Sequence, residues 1–214
     1  MNHGTDVTVI LDRSGSMETI ASDVIGGFNH FLKEQQRQPG DCRLTLVQFD
    51  DQYEIVYLAR PMADASRLTA HTFEPRGSTA LLDAIGRTID TTGARLAALP
   101  EAERPNRVLL VVITDGEENA SVEYTRGQVF TMISSQQDVY GWSFLFLAAN
   151  QDAISEAAKV GIGAQQSLNF SATGAGIRAA SLSMSDAVSS FRSTGHAALA
   201  GGARKKKVKR LRSC

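Results

Sequence analysis

The chain has 214 residues, of which 43% are hydrophobic and 21% charged, and its formal net charge is −1. This size and apolar content suit one globular domain with a sizeable core, and the sequence has no apolar run long enough for a membrane span. We expect a cytoplasmic protein without disulfides, because the N-terminal residues do not resemble a secretory leader and Cys42 and Cys214 have no metal-binding spacing.

The first predicted element is a short apolar strand over residues 7–11 that ends in the carboxylate of Asp12. The hydroxyls of Ser14 and Ser16 follow at every second position, so one loop carries three hard oxygen atoms. Mg²⁺ prefers such oxygens to nitrogen or sulfur. An ordinary turn in which Ser16 caps the next helix is the alternative, and the loop alone leaves both interpretations open.

Helical spacing of apolar residues then predicts a helix over residues 17–36. Gly26 and Gly27 weaken this helix locally, which we interpret as close packing on the sheet. Residues 43–49 form a predicted second strand, parallel to the first. Residues 54–58 follow after so short a connection that an antiparallel edge strand is expected.

An irregular segment leads to Thr79, which precedes a helix marked by apolar residues between positions 81 and 96. Threonine at this place is also typical of a simple N-cap. Residues 108–113 are a continuous apolar run that predicts a central strand, and Asp115 follows it as Asp12 follows the first strand. The remaining predicted elements are a helix over residues 128–136, a strand over 142–149, a helix over 153–160, a weak strand over 168–170 and a helix over 177–192.

The alternation of strands and helices predicts an α/β fold with a doubly wound, mostly parallel central sheet. One antiparallel edge strand and helices on both faces complete the predicted architecture. Such sheets bind ligands beyond the carboxyl ends of their strands, where the strand order reverses. Five candidate metal ligands would converge there: Asp12, Ser14, Ser16, Thr79 and Asp115.

The segment DRSGS at residues 12–16 resembles the D-x-S-x-S signature of von Willebrand factor type A domains. Thr79 in RGSTALLDAI resembles the threonine of the family's second loop, and Asp115 in VLLVVITDGEEN resembles the aspartate of its third loop. The resemblance implies such a domain over residues 1–200, of the stand-alone intracellular type found in bacteria or phages, with a complete metal-ion-dependent adhesion site.

The same resemblance implies the ligands of the site. Mg²⁺ is the expected cation, with Mn²⁺ as an alternative and Ca²⁺ less expected. An acidic side chain of a partner protein would take the open coordination position. Intracellular relatives often serve AAA+ ATPases or multiprotein assemblies, so a partner of that kind is expected.

The sequence does not favour catalysis. Phosphatases of the haloacid dehalogenase type need a second carboxylate two residues after the first, and Ser14 occupies that position as a poor general acid. The four histidines are scattered, and neither a P-loop nor a dinucleotide fingerprint is present. We expect the protein not to be an enzyme.

Further acidic residues lie, on this topology, in loops at the metal-bearing edge of the sheet. They are Asp50, Asp51, Glu117, Glu118 and Asp152. Ordinary solvated carboxylates are the simpler interpretation. Together with the metal, however, they would select a partner that presents one carboxylate amid basic residues.

The C-terminal segment is strongly basic, which leaves an acidic body with 15 basic against 23 acidic residues. Its basic residues are Arg204, Lys205, Lys206, Lys207, Lys209, Arg210 and Arg212. Like charges at this density predict a disordered tail over residues 201–214. The alternative function is therefore a nucleic-acid-associated protein that is tethered by this tail, with the domain as scaffold. A merely solubilising tail is the other possibility.

Overall fold

A computed structural model describes residues 4–149 and 152–199 of the chain. The strands are β1 (Thr5–Asp12), β2 (Cys42–Phe49), β3 (Tyr53–Pro61), β4 (Arg107–Thr114), β5 (Ser143–Ala149) and β6 (Ser167–Phe170). The helices are α1 (Ala21–Gln36), α2 (Leu81–Ala97), α3 (Arg126–Tyr140), α4 (Ala153–Lys159) and α5 (Gly174–Thr194).

The strands form one sheet in the order β3-β2-β1-β4-β5-β6. Every neighbouring pair is parallel except β2 and β3, so the predicted mostly parallel sheet with one antiparallel edge strand is confirmed. The chain builds outward from β1 through β2 to β3 and then returns to add β4, β5 and β6 on the other side. The strand order therefore reverses between β1, which ends at Asp12, and β4, which Asp115 follows.

Strand β1 lies in the centre of the molecule, with all eight of its residues buried. Val9 belongs to the hydrophobic cluster that includes residues of α1 and α5, whereas Ile10 belongs to the cluster that includes residues of α2, α3 and α4. Successive side chains of a strand point to opposite faces, so helices cover both sides of the sheet as predicted. This burial fixes the carboxyl end of β1 within the protein rather than at a solvated edge.

Two local predictions were wrong. The segment after Asp12 begins as a 3₁₀ turn over Gly15–Ile20, and α1 starts only at Ala21. The glycines of α1 do not serve packing on the sheet, because a Cβ atom at Gly27 would lie 2.3 Å from Ser181 Oγ of α5 and one at Gly26 would meet open space. Gly27 permits the contact between two helices on the same face of the sheet.

Among the described residues, no helix combines the length and the apolarity that crossing a bilayer requires. The basic tail, with its predicted disorder and its predicted nucleic-acid binding, lies outside the described residues. Those predictions stay untested.

Helix α2 supports the loop that follows β4. The ring of Tyr124 lies against Gly86, where an added Cβ atom would come within 2.4 Å of Tyr124 Cδ1. The hydroxyl of Tyr124 donates to Asp90 Oδ2 at 2.7 Å, one turn further along the helix. Gly93, in the same helix, faces open space. Substitution of Gly93 therefore reports the effect of helix propensity alone, whereas substitution of Gly86 adds the effect of packing against Tyr124.

We predict opposite effects of alanine at these two positions. Gly93→Ala should raise the free energy of unfolding by up to about 1 kcal/mol, since alanine favours a helix and meets no neighbour. Gly86→Ala should lower it by roughly 1 to 2 kcal/mol, because the overpacked ring of Tyr124 must move. Equilibrium denaturation with urea measures both values. Equal stabilisation by the two substitutions would show that the ring does not rest on Gly86.

Candidate metal centre

Three loops meet where β1 and β4 end. The first loop (residues 12–16) follows β1, the second loop (residues 76–80) precedes α2, and the third loop (residues 115–125) joins β4 to α3. Main-chain hydrogen bonds join the first two, from Arg76 N to Arg13 O at 2.8 Å and from Gly15 N to Gly77 O at 3.1 Å. The topology thus brings together residues that are more than 60 positions apart in sequence.

Asp12 lies at the bottom of the site and is completely buried. Its Oδ1 atom accepts a hydrogen bond from Ser14 N at 2.7 Å, and its Oδ2 atom accepts one from the Thr114 hydroxyl at 2.5 Å. A carboxylate oxygen can accept more than one hydrogen bond, so both oxygens keep capacity for a cation or a water. Sequence reasoning missed Thr114, because a threonine at the end of a β-rich run looks like an ordinary strand residue.

The two serines of the first loop and Asp115 form a continuous chain of oxygen atoms. Ser14 Oγ lies 3.0 Å from Ser16 Oγ, and the Ser16 hydroxyl donates to Asp115 Oδ1 at 2.6 Å. Adjacent ligands of an octahedral Mg²⁺ ion with bonds of about 2.1 Å are separated by roughly 3.0 Å. The spacing of the two hydroxyls therefore fits two adjacent corners of such an octahedron.

Gly116 marks the point on which the hydroxyls converge. A Cβ atom built there would lie 2.9 Å from Thr79 Oγ1, 3.5 Å from Ser16 Oγ and 3.7 Å from Ser14 Oγ. Thr79, which the second loop supplies, is therefore next to the two serines. A larger residue at position 116 would fill the space among the three hydroxyls, so glycine keeps this cradle open.

Helix capping does not account for these hydroxyls. Ser16 lies inside the 3₁₀ turn, and Ser14, at its N-cap position, makes no capping hydrogen bond through its side chain. The N-cap of α2 is Ala80 rather than Thr79. Glu118 and Ser121 of the third loop accept the first amides of that helix instead, from Leu82 N at 2.9 Å and from Asp83 N at 3.1 Å.

Burial alters the acidity of both candidate carboxylates. Desolvation raises the pKa of Asp12 from its usual value near 3.8 to about 6, against the opposing hydrogen bonds from Thr114 and Ser14. Desolvation also raises the pKa of Asp115, and the hydrogen bond from Ser16 opposes this shift. The protein thus disfavours the two negative charges, and a divalent cation would supply the missing stabilisation.

Two of the acidic residues assigned to partner binding have internal partners instead. Asp50 is completely buried and forms ion pairs with Arg13 Nε at 3.0 Å and Arg76 Nε at 2.9 Å. Glu118 accepts from Ser121 N at 2.8 Å in addition to Leu82 N of α2. Both carboxylates hold the loops together, so they do not face a partner.

The other three acidic candidates, Asp51, Glu117 and Asp152, are exposed. Asp152 also caps α4, where its side chain accepts from Ser155 N at 3.2 Å. Only these three carboxylates of the predicted set remain available to attract basic residues of a partner.

The donor set is typical of a hard cation. In the part of the chain that the structure describes, no group of three or more His, Cys, Asp or Glu side chains could hold a metal ion. The candidate centre instead offers two carboxylates and three hydroxyls. Such ligands suit Mg²⁺ or Mn²⁺ better than a metal that prefers nitrogen or sulfur.

Comparison with known proteins agrees with the fold. The family model of the von Willebrand factor type A domain matches residues 6–157. No curated protein matches the chain in sequence.

Several solved structures share the fold at low sequence identity. The pilus adhesin SpaC from Lactobacillus rhamnosus GG, in an open conformation, gives a TM-score of 0.66 at 14% identity over 88% of this chain and 30% of its own. Proximal thread matrix protein 1 from the mussel byssus, with a zinc-occupied MIDAS motif, gives a TM-score of 0.58 at 12% identity. The match covers 87% of this chain and 46% of that protein. A von Willebrand factor type A protein from Catenulispora acidiphila gives a TM-score of 0.56 at 12% identity. The match covers 86% of this chain and 42% of that protein. The chain spans less than half the length of each of these structures.

The raised pKa of Asp12 predicts how the stability of the metal-free protein depends on pH. The folded state holds the proton of Asp12 more tightly than the unfolded state, so this residue's contribution to stability is greatest below about pH 4 and is lost as pH rises to about 6. The loss is about 3 kcal/mol for a shift of this size. An asparagine at position 12 would still fit, since its amide can donate to Thr114 Oγ1 while the hydroxyl proton turns toward Gly116 O, 3.2 Å away.

Relative to Asp12→Asn, the wild-type protein should therefore become less stable by up to about 3 kcal/mol between pH 4 and pH 7 in EDTA. Urea denaturation of both proteins at several pH values measures this difference. A difference that does not change with pH would show that Asp12 is not destabilised by its burial.

Proposed function

Because the chain belongs to the von Willebrand factor type A domain family, we propose that it binds a partner protein through a divalent cation. The residues that would hold the cation are Asp12, Ser14, Ser16, Thr79 and Asp115. The observation that carries this proposal is the convergence of three hydroxyls on Gly116, above a buried carboxylate and beside a second one.

The charge of the donor set suits a bridging ion. Two carboxylates neutralise one divalent cation, and the hydroxyls add oxygen atoms without adding charge. When bound, the cation would supply a Lewis-acidic position to which an external anionic oxygen can bind. Mg²⁺ is the proposed ion, with Mn²⁺ as the alternative, and Ca²⁺ suits the site less because it takes more oxygen ligands.

The protein's own residues would prepare the site for a carboxylate of the partner. Asp12 and Asp115 lie where burial disfavours their negative charge, so a bound cation would stabilise their ionised form. The exposed carboxylates of Asp51, Glu117 and Asp152 favour basic residues around the partner's acidic group. An AAA+ ATPase or a multiprotein assembly as the partner, and a cytoplasmic location, stay predictions from the sequence.

We propose a binding role rather than catalysis. Ser14 stands where a metal-dependent phosphatase of the haloacid dehalogenase type needs a general acid, and its hydroxyl lies next to Ser16 Oγ rather than a base. The Ser16 hydroxyl donates to Asp115, which itself would hold the cation. The polar groups of the site are thus arranged to hold an ion.

Metal titration tests the proposed centre. Asp12→Ala should abolish the calorimetric signal of Mg²⁺ and Mn²⁺ binding. Removal of a residue that only hydrogen-bonds to a ligand lowers metal affinity by roughly 10- to 100-fold, and loss of a ligand itself should lower it further. Asp115→Ala should weaken binding less if this carboxylate acts through water. Glu117→Gln is the matched control, since it removes a charge from the same loop two residues from Asp115, and it should change the affinity only slightly.

Circular dichroism should show an unchanged helix content in all three variants, because the loops lie above a core that closes without the metal. Binding by Asp12→Ala with wild-type affinity would contradict the assignment of the site. Loss of the helix signal in that variant would show that Asp12 is needed for the fold itself.

Partner capture tests the function. The immobilised full chain should retain a specific protein from the host extract in Mg²⁺ and release it in EDTA, and the Asp12→Ala bait should fail to retain it in either buffer. Replacement of one acidic residue of the identified partner should abolish the interaction. A partner that is retained equally in EDTA would bind by a surface other than the metal site.

A further inference from the structure

The main chain of Thr79 is held from both sides by one residue of the third loop. Thr79 N donates to Asn119 Oδ1 at 2.9 Å, and Asn119 N donates to Thr79 O at 3.1 Å. The side-chain atom of Asn119 in the first bond must be its oxygen, because an amide N–H needs an acceptor. The pair of bonds fixes both peptide groups that flank the Thr79 side chain.

Thr79 needs this support because no regular element holds it. It lies before the N-cap of α2, where main-chain amides have no partner within the helix. The preceding Gly77 has a φ of 66°, so the chain turns sharply two residues before Thr79. On the following side, Ala80 N donates to Asp50 O at 2.9 Å. The direction of the Thr79 hydroxyl therefore depends on contacts with other loops.

Asn119 also lies four residues after Asp115 in the same loop. The pair of bonds consequently ties two candidate ligands from different parts of the chain into one unit. Octahedral ions tolerate little displacement of their ligands, and Mg²⁺ demands near-ideal geometry. A loose second loop would let the Thr79 hydroxyl move away from the cradle at Gly116.

We propose that Asn119 is a positioning residue of the metal centre, which holds Thr79 in the place where its hydroxyl can bind the cation. The inference rests on the proposed function, since it assumes that Thr79 is a ligand. Asn119 itself does not bind the ion. Loss of its side chain should lower Mg²⁺ affinity by roughly 10-fold, as is typical when an outer partner of a metal ligand is removed.

Ser121 offers a matched control in the same loop. Its hydroxyl accepts from Asp83 N at 3.1 Å and donates to Glu118 Oε2 at 2.7 Å. It connects the third loop to the first turn of α2, and neither of these two bonds involves Thr79. Ser121→Ala therefore removes two side-chain hydrogen bonds from the same loop, against one in Asn119→Ala, and leaves the pair of bonds to Thr79 in place.

The experiment is a double-mutant cycle on the full chain with Mg²⁺ and Mn²⁺ as the probes. Calorimetric affinities are measured for the wild type, Asn119→Ala, Thr79→Ala and the double variant. Asn119→Ala should bind about 10-fold more weakly than the wild type, and the double variant should bind like Thr79→Ala alone. Ser121→Ala should retain the wild-type affinity within about twofold, which lies within the usual error of additivity.

Hydrogen exchange in the metal-free protein supplies a readout that does not depend on the ion. The Thr79 amide should exchange faster in Asn119→Ala than in the wild type, and Ser121→Ala should leave its rate unchanged. Asn119→Asp keeps an acceptor for this amide and should restore its protection. The charge of the aspartate also acts on the cation directly. The Mg²⁺ affinity of Asn119→Asp is therefore compared with that of the double variant that carries both Asn119→Asp and Thr79→Ala.

Wild-type affinity in Asn119→Ala would overturn the inference, as would additive effects in the cycle or an equal loss in Ser121→Ala. If Asn119→Ala does not fold, Asn119→Asp decides in its place: failure to protect the Thr79 amide would overturn the inference. Absence of metal binding by the wild type would instead overturn the proposed function, whereas normal binding by the wild type and Asn119→Ala alike would overturn this inference alone.

Discussion

The Asp12 carboxylate is completely buried at the end of the central strand, and the contacts around it shape the whole site. Strand β1 is covered on both faces, so the residue at its carboxyl end enters the protein interior with its charge. Hydrogen bonds from Ser14 N and the Thr114 hydroxyl compensate only in part, because burial still raises the pKa of Asp12 to about 6. A cation held by the hydroxyls above it would complete the compensation.

Polar contacts join the loops that surround Asp12 to one another and to their neighbours. The buried ion pair of Arg13 and Asp50 joins the first loop to the end of β2, and Asp50 also pairs with Arg76 of the second loop. Breaking a buried pair leaves an uncompensated charge, which makes such a contact costly to open. Glu118 attaches the third loop to the start of α2, and Asn119 attaches it to Thr79 of the second loop. These contacts connect the three loops around the space beside Gly116.

The sequence was sufficient to predict the sheet, its antiparallel edge and the convergence of the five candidate ligands at one end of the sheet, because hydrophobic periodicity and short motifs are local signals. It did not reveal the residues that hold these ligands. Asp50 and Glu118 looked like surface carboxylates, yet the partner of Asp50 is Arg13, 37 positions away, and that of Glu118 is the amide of Leu82, 36 positions away. Gly27 was assigned to the sheet because its neighbour in α5 lies far along the chain. Such contacts depend on how distant loops and helices meet, which no local pattern encodes.

We propose that a divalent cation binds among Ser14, Ser16 and Thr79, above Asp12 and beside Asp115. The most direct test is X-ray diffraction from crystals of the full chain grown with Mn²⁺, with data collected at the manganese absorption edge. We expect one anomalous peak within about 2.2 Å of hydroxyl oxygens of the first and second loops, a distance typical of a small hard cation. An anomalous peak elsewhere on the protein, with the three hydroxyls hydrogen-bonded only to one another and to Asp115, would contradict it.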